Sequence, residues 1–202
     1  HLSGNGVRDI SFKAHKGEVV GISGLVGAGR TEIMKVVFGA EKRQFGEVYV
    51  NGKLADIRSP HDAMHKYGIC LIPEDRKREG CFLSETISWN IVYNVLGNIS
   101  HAGVVDKKKE KEIADYYGES MRIKAPNLDK TKVVTLSGGN QQKVVVGKAL
   151  ATQSDIVIFD EPTRGIDVGA KYEIYELINQ MCEEGKCVIM VTSDMEELLG
   201  MS

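Results

Sequence analysis

The chain is poor in the residues that mark special environments. It has four cysteines, Cys70, Cys81, Cys182 and Cys187, and none stands in a CxxC pair. The five histidines show no ligand spacing beside them. A disulfide scaffold and a zinc site are set aside on that ground, and buried free thiols in a reducing compartment are the reading that remains. No apolar run is long enough to span a bilayer and no signal-peptide pattern is present, so work at a membrane would mean docking onto another subunit. Net charge is −2, which leaves no global field to draw in nucleic acid or anionic lipid. Internal repeats and low-complexity tracts are absent. What is left, 42% apolar and 27% charged residues, is the balance of a globular domain, and 202 residues suffice for one with a real core.

Strand and helix patterns alternate. Glu18–Ile22, Glu47–Val50, Ile69–Ile72, Asp155–Phe159 and Lys186–Thr192 read as strands. Helices are expected over Arg30–Phe38, Thr86–Leu96, Lys107–Met121, Gly139–Ala151 and Ala170–Glu183, with a last turn or two over Met195–Leu199. Ser59-Pro60 starts a further short helix, serine at the cap and proline in the first turn. The charge run Lys107–Glu112 reads as a solvated helix face with mixed pairs. The alternation predicts an α/β fold with a mostly parallel sheet covered on both faces. The stretch from about 75 to 152 lacks strand patterns and is expected to form a helical lobe on a core made of 1–74 and 153–202.

Three segments carry chemistry. Gly24-Leu25-Val26-Gly27-Ala28-Gly29-Arg30-Thr31-Glu32 follows a strand and opens a helix, the context of a phosphate-binding loop (P-loop). Its glycines let backbone N–H groups curl around a phosphate, and Thr31 can place a hydroxyl on Mg²⁺. Standing alone, the loop is equally an ordinary strand-glycine-helix turn. Leu136-Ser137-Gly138-Gly139-Asn140-Gln141-Gln142-Lys143 opens another helix, whose free N–H groups and positive dipole end meet at one spot. Ile156–Phe159 is an apolar run without alternation, as in a central strand, and it ends in Asp160-Glu161-Pro162. Open α/β sheets place ligand chemistry at that carboxyl end.

In this order the three segments resemble the P-loop ATPases of ATP-binding cassette (ABC) proteins. The resemblance implies ATP and Mg²⁺ as ligands and runs from about Asp9 to the end of the chain. It makes Asp160 a Mg²⁺ residue and Glu161 the group that polarises the attacking water. Ser137, Gly138, Gly139 and Asn140 become a signature loop that closes on ATP held by a different domain. Asp167, in Thr163-Arg164-Gly165-Ile166-Asp167, becomes a D-loop residue reaching toward the partner.

Three positions depart from that family on this chain's own half-site. Arg30 stands where lysine is expected, a planar fork in place of a point charge. Glu74 takes the place of the Q-loop glutamine; it only accepts hydrogen bonds, and it would repel a γ-phosphate unless Mg²⁺ or Arg76 compensates. Ser193 takes the place of the switch histidine and cannot carry a proton near neutral pH. No aromatic stands ahead of Phe12 to stack on adenine. The chain's own nucleotide site is therefore expected to be slow.

The further runs Pro73-Glu74-Asp75-Arg76-Lys77-Arg78-Glu79-Gly80 and Asp160-Glu161-Pro162-Thr163-Arg164-Gly165-Ile166-Asp167-Val168-Gly169-Ala170-Lys171 narrow the resemblance. They are similar to the second ATPase domain of bacterial monosaccharide importers of the ribose, galactose, arabinose and xylose type. That implies a first ATPase cassette in the same polypeptide, membrane permeases, a sugar-binding protein reached indirectly, no nucleic acid, and a peripheral place on the cytoplasmic face of the membrane. It also implies that both ends of the chain are cut. The charges of Glu74–Phe82 would sit near the permease contact. A regulatory nucleotide-binding module without turnover and a nucleoside-type importer remain as alternatives.

Overall fold

The computed structural model describes residues 2–25 and 27–201; Val26 of the glycine loop lies outside the described residues. The chain opens with the hairpin β1 (Leu2–Gly4) and β2 (Val7–Ile10), then β3 (Val19–Ser23), the glycine loop and α1 (Arg30–Phe38). A second hairpin, β4 (Tyr49–Val50) and β5 (Lys53–Leu54), precedes α2 (Pro60–Tyr67) and β6 (Ile69–Ile72). A short π-helix at Arg76–Gly80 leads to α3 (Ile87–Val92), which tightens into a 3₁₀ segment, Tyr93–Ile99. The hairpin β7 (Ser100–His101) and β8 (Val104–Val105) is followed by α4 (Lys107–Ser120), a 3₁₀ turn at Val133–Thr135 and α5 (Gly138–Leu150). The chain ends through β9 (Ile156–Asp160), α6 (Val168–Glu183), β10 (Cys187–Thr192) and α7 (Met195–Met201).

These elements form two compact units. The first comprises the described residues up to Leu71, Ser154–Pro162 and those from Tyr175 onward. Its sheet has the order β3-β10-β9-β6, and β10 runs parallel to both β3 and β9. Every residue of β10 is buried, as an unalternating apolar run demands of a strand covered on both faces. Register brings three strand ends level. Val191 pairs with Ile22 and Asp160, and Thr192 pairs with Ser23.

Helix α1 packs Ile33, Met34, Val36 and Val37 into this unit's core together with Ile158, Ile189 and Val191. It is bounded by glycines in the left-handed region, Gly29 (φ 84°) before it and Gly39 (φ 75°) after it. Helix α2 starts as its sequence requires: Ser59 Oγ accepts from the Asp62 N–H at 3.2 Å, and Pro60 follows it.

The second unit comprises 72–153 and 163–174. Helices α3, α4 and α5 enclose Ile87, Ile91, Ala114, Val144 and Val146, all fully buried. The Tyr117 hydroxyl ties α4 to α5 by donating to the Leu150 carbonyl at 2.8 Å. The charged face of α4 is solvated and self-paired, with Lys107–Glu110 at 2.6 Å and Lys111–Asp115 at 2.8 Å.

Two differences from the sequence reading have local causes. The helix expected over Thr86–Leu96 is α-helical only to Val92, where poor helix formers (Tyr93, Asn94, Gly97) take over and the turn tightens. The hairpins β1-β2 and β7-β8 are additional to the expected strands, and in the second hairpin β5 pairs with β4, which is the end of the strand expected over Glu47–Val50. Each hairpin turns on two residues with positive φ, the geometry that matches strand twist: Asn5-Gly6 (48°, 82°), Asn51-Gly52 (52°, 74°) and Ala102-Gly103 (50°, 81°). The first two are Asn-Gly pairs, a signal that strands of two to four residues obscure.

Asn90 is fully buried in the second unit. Its Oδ1 accepts from the Phe82 N–H at 2.7 Å, and its Nδ2 donates to the Phe82 and Thr86 carbonyls at 2.9 Å each. Asn90→Leu is expected to orphan these groups and to lower unfolding free energy by about 2–4 kcal/mol, read from urea denaturation midpoints.

Candidate nucleotide-binding site

In the first unit, the level ends of β3, β10 and β9 place the glycine loop, Thr192-Ser193 and Asp160-Glu161 side by side. Gly27 (φ 83°) and Gly29 (φ 84°) take backbone angles that a side chain resists. At Gly27 an added Cβ would meet no atom of the described residues within 4 Å, so conformation, not crowding, favours glycine there. Gly24 and Ala28 are in ordinary contact, 3.5 Å from a Cβ at 24 to the Ala28 methyl.

The first turn of α1 then presents Arg30, Thr31 and Glu32. Arg30 is 9% exposed. Its Nη1 donates to the Thr192 carbonyl at 2.7 Å, and its Nη2 lies 3.6 Å from Glu161 Oε1. Glu161 also accepts from the Ser193 hydroxyl at 3.1 Å. Its backbone is left-handed (φ 49°), a conformation that costs about 1–3 kcal/mol and is held here by its N–H on the Val191 carbonyl at 2.8 Å.

The Thr31 hydroxyl donates to Asp160 Oδ1 at 3.1 Å. Asp160 is 1% exposed. Burial pushes its carboxyl up to about 6; the Thr31 hydrogen bond works against that rise, and the Glu161 charge adds to it. An alcohol and a buried carboxylate in contact form a hard-oxygen pair of the kind that suits Mg²⁺.

The second unit gathers the other sequence-predicted residues. Ser137 caps α5; its Oγ accepts from the Asn140 N–H at 3.4 Å and from Asn140 Nδ2 at 3.1 Å. Asn140 Oδ1 in turn accepts from the Lys124 N–H at 2.8 Å. Gly139 has no room for a side chain, since a Cβ would come within 2.6 Å of the Ala170 methyl. Asp167 caps α6 by accepting from the Ala170 N–H at 3.0 Å. A cavity of about 330 Å³ opens among Ser137, Gly139, Asn140, Lys143 and Asp167. Lys143 is buried there and pairs with Glu173 at 2.5 Å.

Glu74 is also in this unit, and its charge is met by the Arg164 guanidinium. The sequence offered Mg²⁺ or Arg76 as the compensating charge; the side chain that meets Glu74 is Arg164. Arg76 instead donates to the backbone carbonyls of Arg164 and Gly165. Sequence reasoning missed the roles of Thr192, Arg164 and Lys143. Thr192 contributes a main-chain carbonyl, which no side-chain pattern advertises. Arg164 and Lys143 were visible only as members of quoted motifs.

The raised Asp160 pKa gives a pH test without ligands. A carboxyl raised in the folded state contributes stability that is full below its unfolded value of 3.8 and lost as pH climbs through about 6. The two-unit shift amounts to about 3 kcal/mol. In nucleotide- and Mg²⁺-free buffer, Asp160→Asn is expected to raise the urea midpoint at pH 7.5 and to leave it unchanged near pH 4.

The ABC transporter family model matches residues 7–164. The ribose import ATP-binding protein of Clostridium perfringens is 46% identical over 198 residues, 98% of this chain and 39% of that protein. The xylose import ATP-binding protein of Thermoanaerobacter pseudethanolicus is 46% identical over 197 residues, 97% of this chain and 39% of that protein. The chain thus spans about two-fifths of the length of these curated relatives. Among solved structures, a dimeric ATP-binding cassette bound to ADP and Pi superimposes with a TM-score of 0.76 at 22% identity, over 93% of this chain and 79% of that one. The cbiO1 protein of Clostridium perfringens, part of an ABC transporter complex, gives 0.76 at 20% identity, over 98% of this chain and 77% of that one. At that identity the structures speak for the fold, an ABC ATPase P-loop fold, while the family model covers well over half the sequence. On the family match the chain belongs to the ABC transporter family.

Proposed function

We propose that this chain is the second ATPase cassette of a bacterial monosaccharide importer, a translocase that couples ATP binding and hydrolysis to sugar uptake. Its partners are a first cassette in the same polypeptide, the membrane permeases and, through them, a sugar-binding protein. It works peripherally on the cytoplasmic face of the membrane; among the described residues no helix is long and apolar enough to cross one. The names of the relatives support the sugar class.

In this reading the chain's two clusters serve different nucleotides. The glycine loop, from Gly24 through Gly27, Ala28 and Gly29 to Arg30, Thr31 and Glu32, wraps the chain's own ATP. Thr31 and Asp160 would hold Mg²⁺, which when bound supplies positive charge against the phosphates. Ser137, Gly138, Gly139 and Asn140 serve the ATP of the first cassette. Ser137 is suited to that role, because its oxygen accepts twice from Asn140 and its own O–H is left to donate outward. Asp167 lies beside the same cavity.

One observation carries the asymmetry. The Arg30 fork is occupied by the Thr192 carbonyl and Glu161. A lysine in its place would offer a compact charge free to follow phosphate oxygens. Turning Arg30 to a phosphate means breaking a charge-assisted bond worth about 1.5–3 kcal/mol. Glu161, the group that would polarise water, is held in the same contact and by Ser193, which relays no proton. Glu74 adds an acceptor where the family has an amide, with Arg164 answering its charge. The chain's own site binds nucleotide and turns it over slowly.

In the full-length transporter, Ser137→Arg is expected to abolish import and to cut ATP turnover by about 10²–10³-fold, the scale of a lost transition-state donor. Arg30→Ala is expected to cost less than about tenfold. Equal losses in the two variants contradict the asymmetry. The isolated chain is expected to show ATPase activity near background in a phosphate-release assay; robust turnover by a monodisperse sample contradicts the reading.

A further inference from the structure

Residues 74–76 and 164–165 hold each other twice within the second unit. Glu74 meets the side chain of Arg164. Arg76 reaches the main chain of the same loop, with Nη1 on the Arg164 carbonyl at 2.9 Å and Nη2 on the Gly165 carbonyl at 3.1 Å. The backbone beneath Arg76 is itself fixed. Asp75 Oδ1 accepts from the Lys77 and Arg78 N–H groups, and the Arg76 carbonyl accepts from the Cys81 N–H at 2.9 Å and its thiol at 3.2 Å.

The guanidinium also touches a third segment. A Cβ added at Gly138 would stand 2.9 Å from Arg76 Nη2 and 3.2 Å from the Gly165 carbonyl. The start of α5 therefore rests on the plane that Arg76 forms with the 164–165 loop. That loop leads directly to Asp167, whose carboxylate caps α6 through the Ala170 N–H and whose carbonyl accepts from the Lys171 N–H.

We infer that Arg76 is a positioning residue: its fork locks the 164–167 loop and the Ser137–Asn140 turn into one rigid surface, so that Ser137 and Asp167 meet the partner's nucleotide together. This rests on the reading in which those residues act in trans. The chemistry favours arginine specifically. Two carbonyls and a glycine face sit around a planar group with several fixed donors, whereas a lysine ammonium at the end of a thin stem reaches one carbonyl and leaves the other unpaired. The Arg76 Nε, buried with no hydrogen-bond partner among the described residues, shows that the group is set by its two terminal nitrogens.

The test is Arg76→Lys in the full-length protein, read by amide hydrogen exchange and by ATP kinetics. Exchange at Asn140, Gln141, Ala170 and Lys171 is expected to speed up about tenfold by local opening, with the global melting temperature unchanged. Turnover is expected to fall about tenfold while KM for ATP stays within about twofold, since ATP is bound elsewhere. Unchanged exchange overturns the inference, and so does faster exchange with full turnover. Should the lysine variant fail to fold, Gly138→Ala strains the same contact, and faster exchange at Ala170 and Lys171 is again required. Ser137→Arg run alongside separates the two ideas. Full turnover in that variant sinks the trans reading, while the exchange rates still decide whether Arg76 holds the loops.

Discussion

Thr192 offers its main-chain carbonyl at the carboxyl end of a buried strand, and the Arg30 guanidinium takes it at 2.7 Å. This contact exists because β10 lies between β3 and β9 in strict parallel register. The register decides that the end of β3, the last residues of β10 and the Asp160-Glu161 pair are neighbours. A cation in the first turn of α1 then has three acceptors to choose from: a phosphate, a carbonyl and a carboxylate. With lysine the phosphate competes well. With arginine the fork fits the carbonyl and the carboxylate of its own protein. In the proposed reading, that one residue changes what the whole edge of the sheet is poised to do.

The Ser137–Asn140 turn of the second unit obeys a different constraint, which is space. Gly138 lies against Arg76 and the 165 carbonyl, and Gly139 against the Ala170 methyl. The glycines therefore have a packing role beside any part in exposing N–H groups to phosphate. Both purposes demand the same residue, and a sequence pattern alone cannot separate them. The geometry shows the packing role directly, because the contacts are with protein atoms.

Much of this was legible in the sequence. Glycines, proline and serine at helix ends marked α1 and α2 correctly, and the unalternating apolar run of β9 marked a central strand. The motif residues fell where strand-turn-helix order put them. Less was legible where the decisive atoms belong to the main chain. The Thr192 carbonyl under Arg30 and the Arg164 and Gly165 carbonyls under Arg76 leave no trace in residue identity. The Glu74–Arg164 pair joins residues far apart in the chain, whereas closeness in sequence points to Arg76. Strands β1, β2, β5, β7 and β8 escape a pattern search because two to four residues carry little period, although Asn5-Gly6 and Asn51-Gly52 are turn signals in plain view.

On the proposed function, labour is divided between two nucleotides, one held by this chain and one served by it. The most direct measurement is a structure of the full-length protein captured during steady-state turnover with ATP and Mg²⁺. In it, the nucleotide in the loop of Gly27, Gly29 and Arg30 is read as ATP or ADP. Intact ATP is expected there, with hydrolysed nucleotide at the site facing Ser137. ADP accumulating in this chain's own loop, with ATP left intact opposite Ser137, would contradict that division.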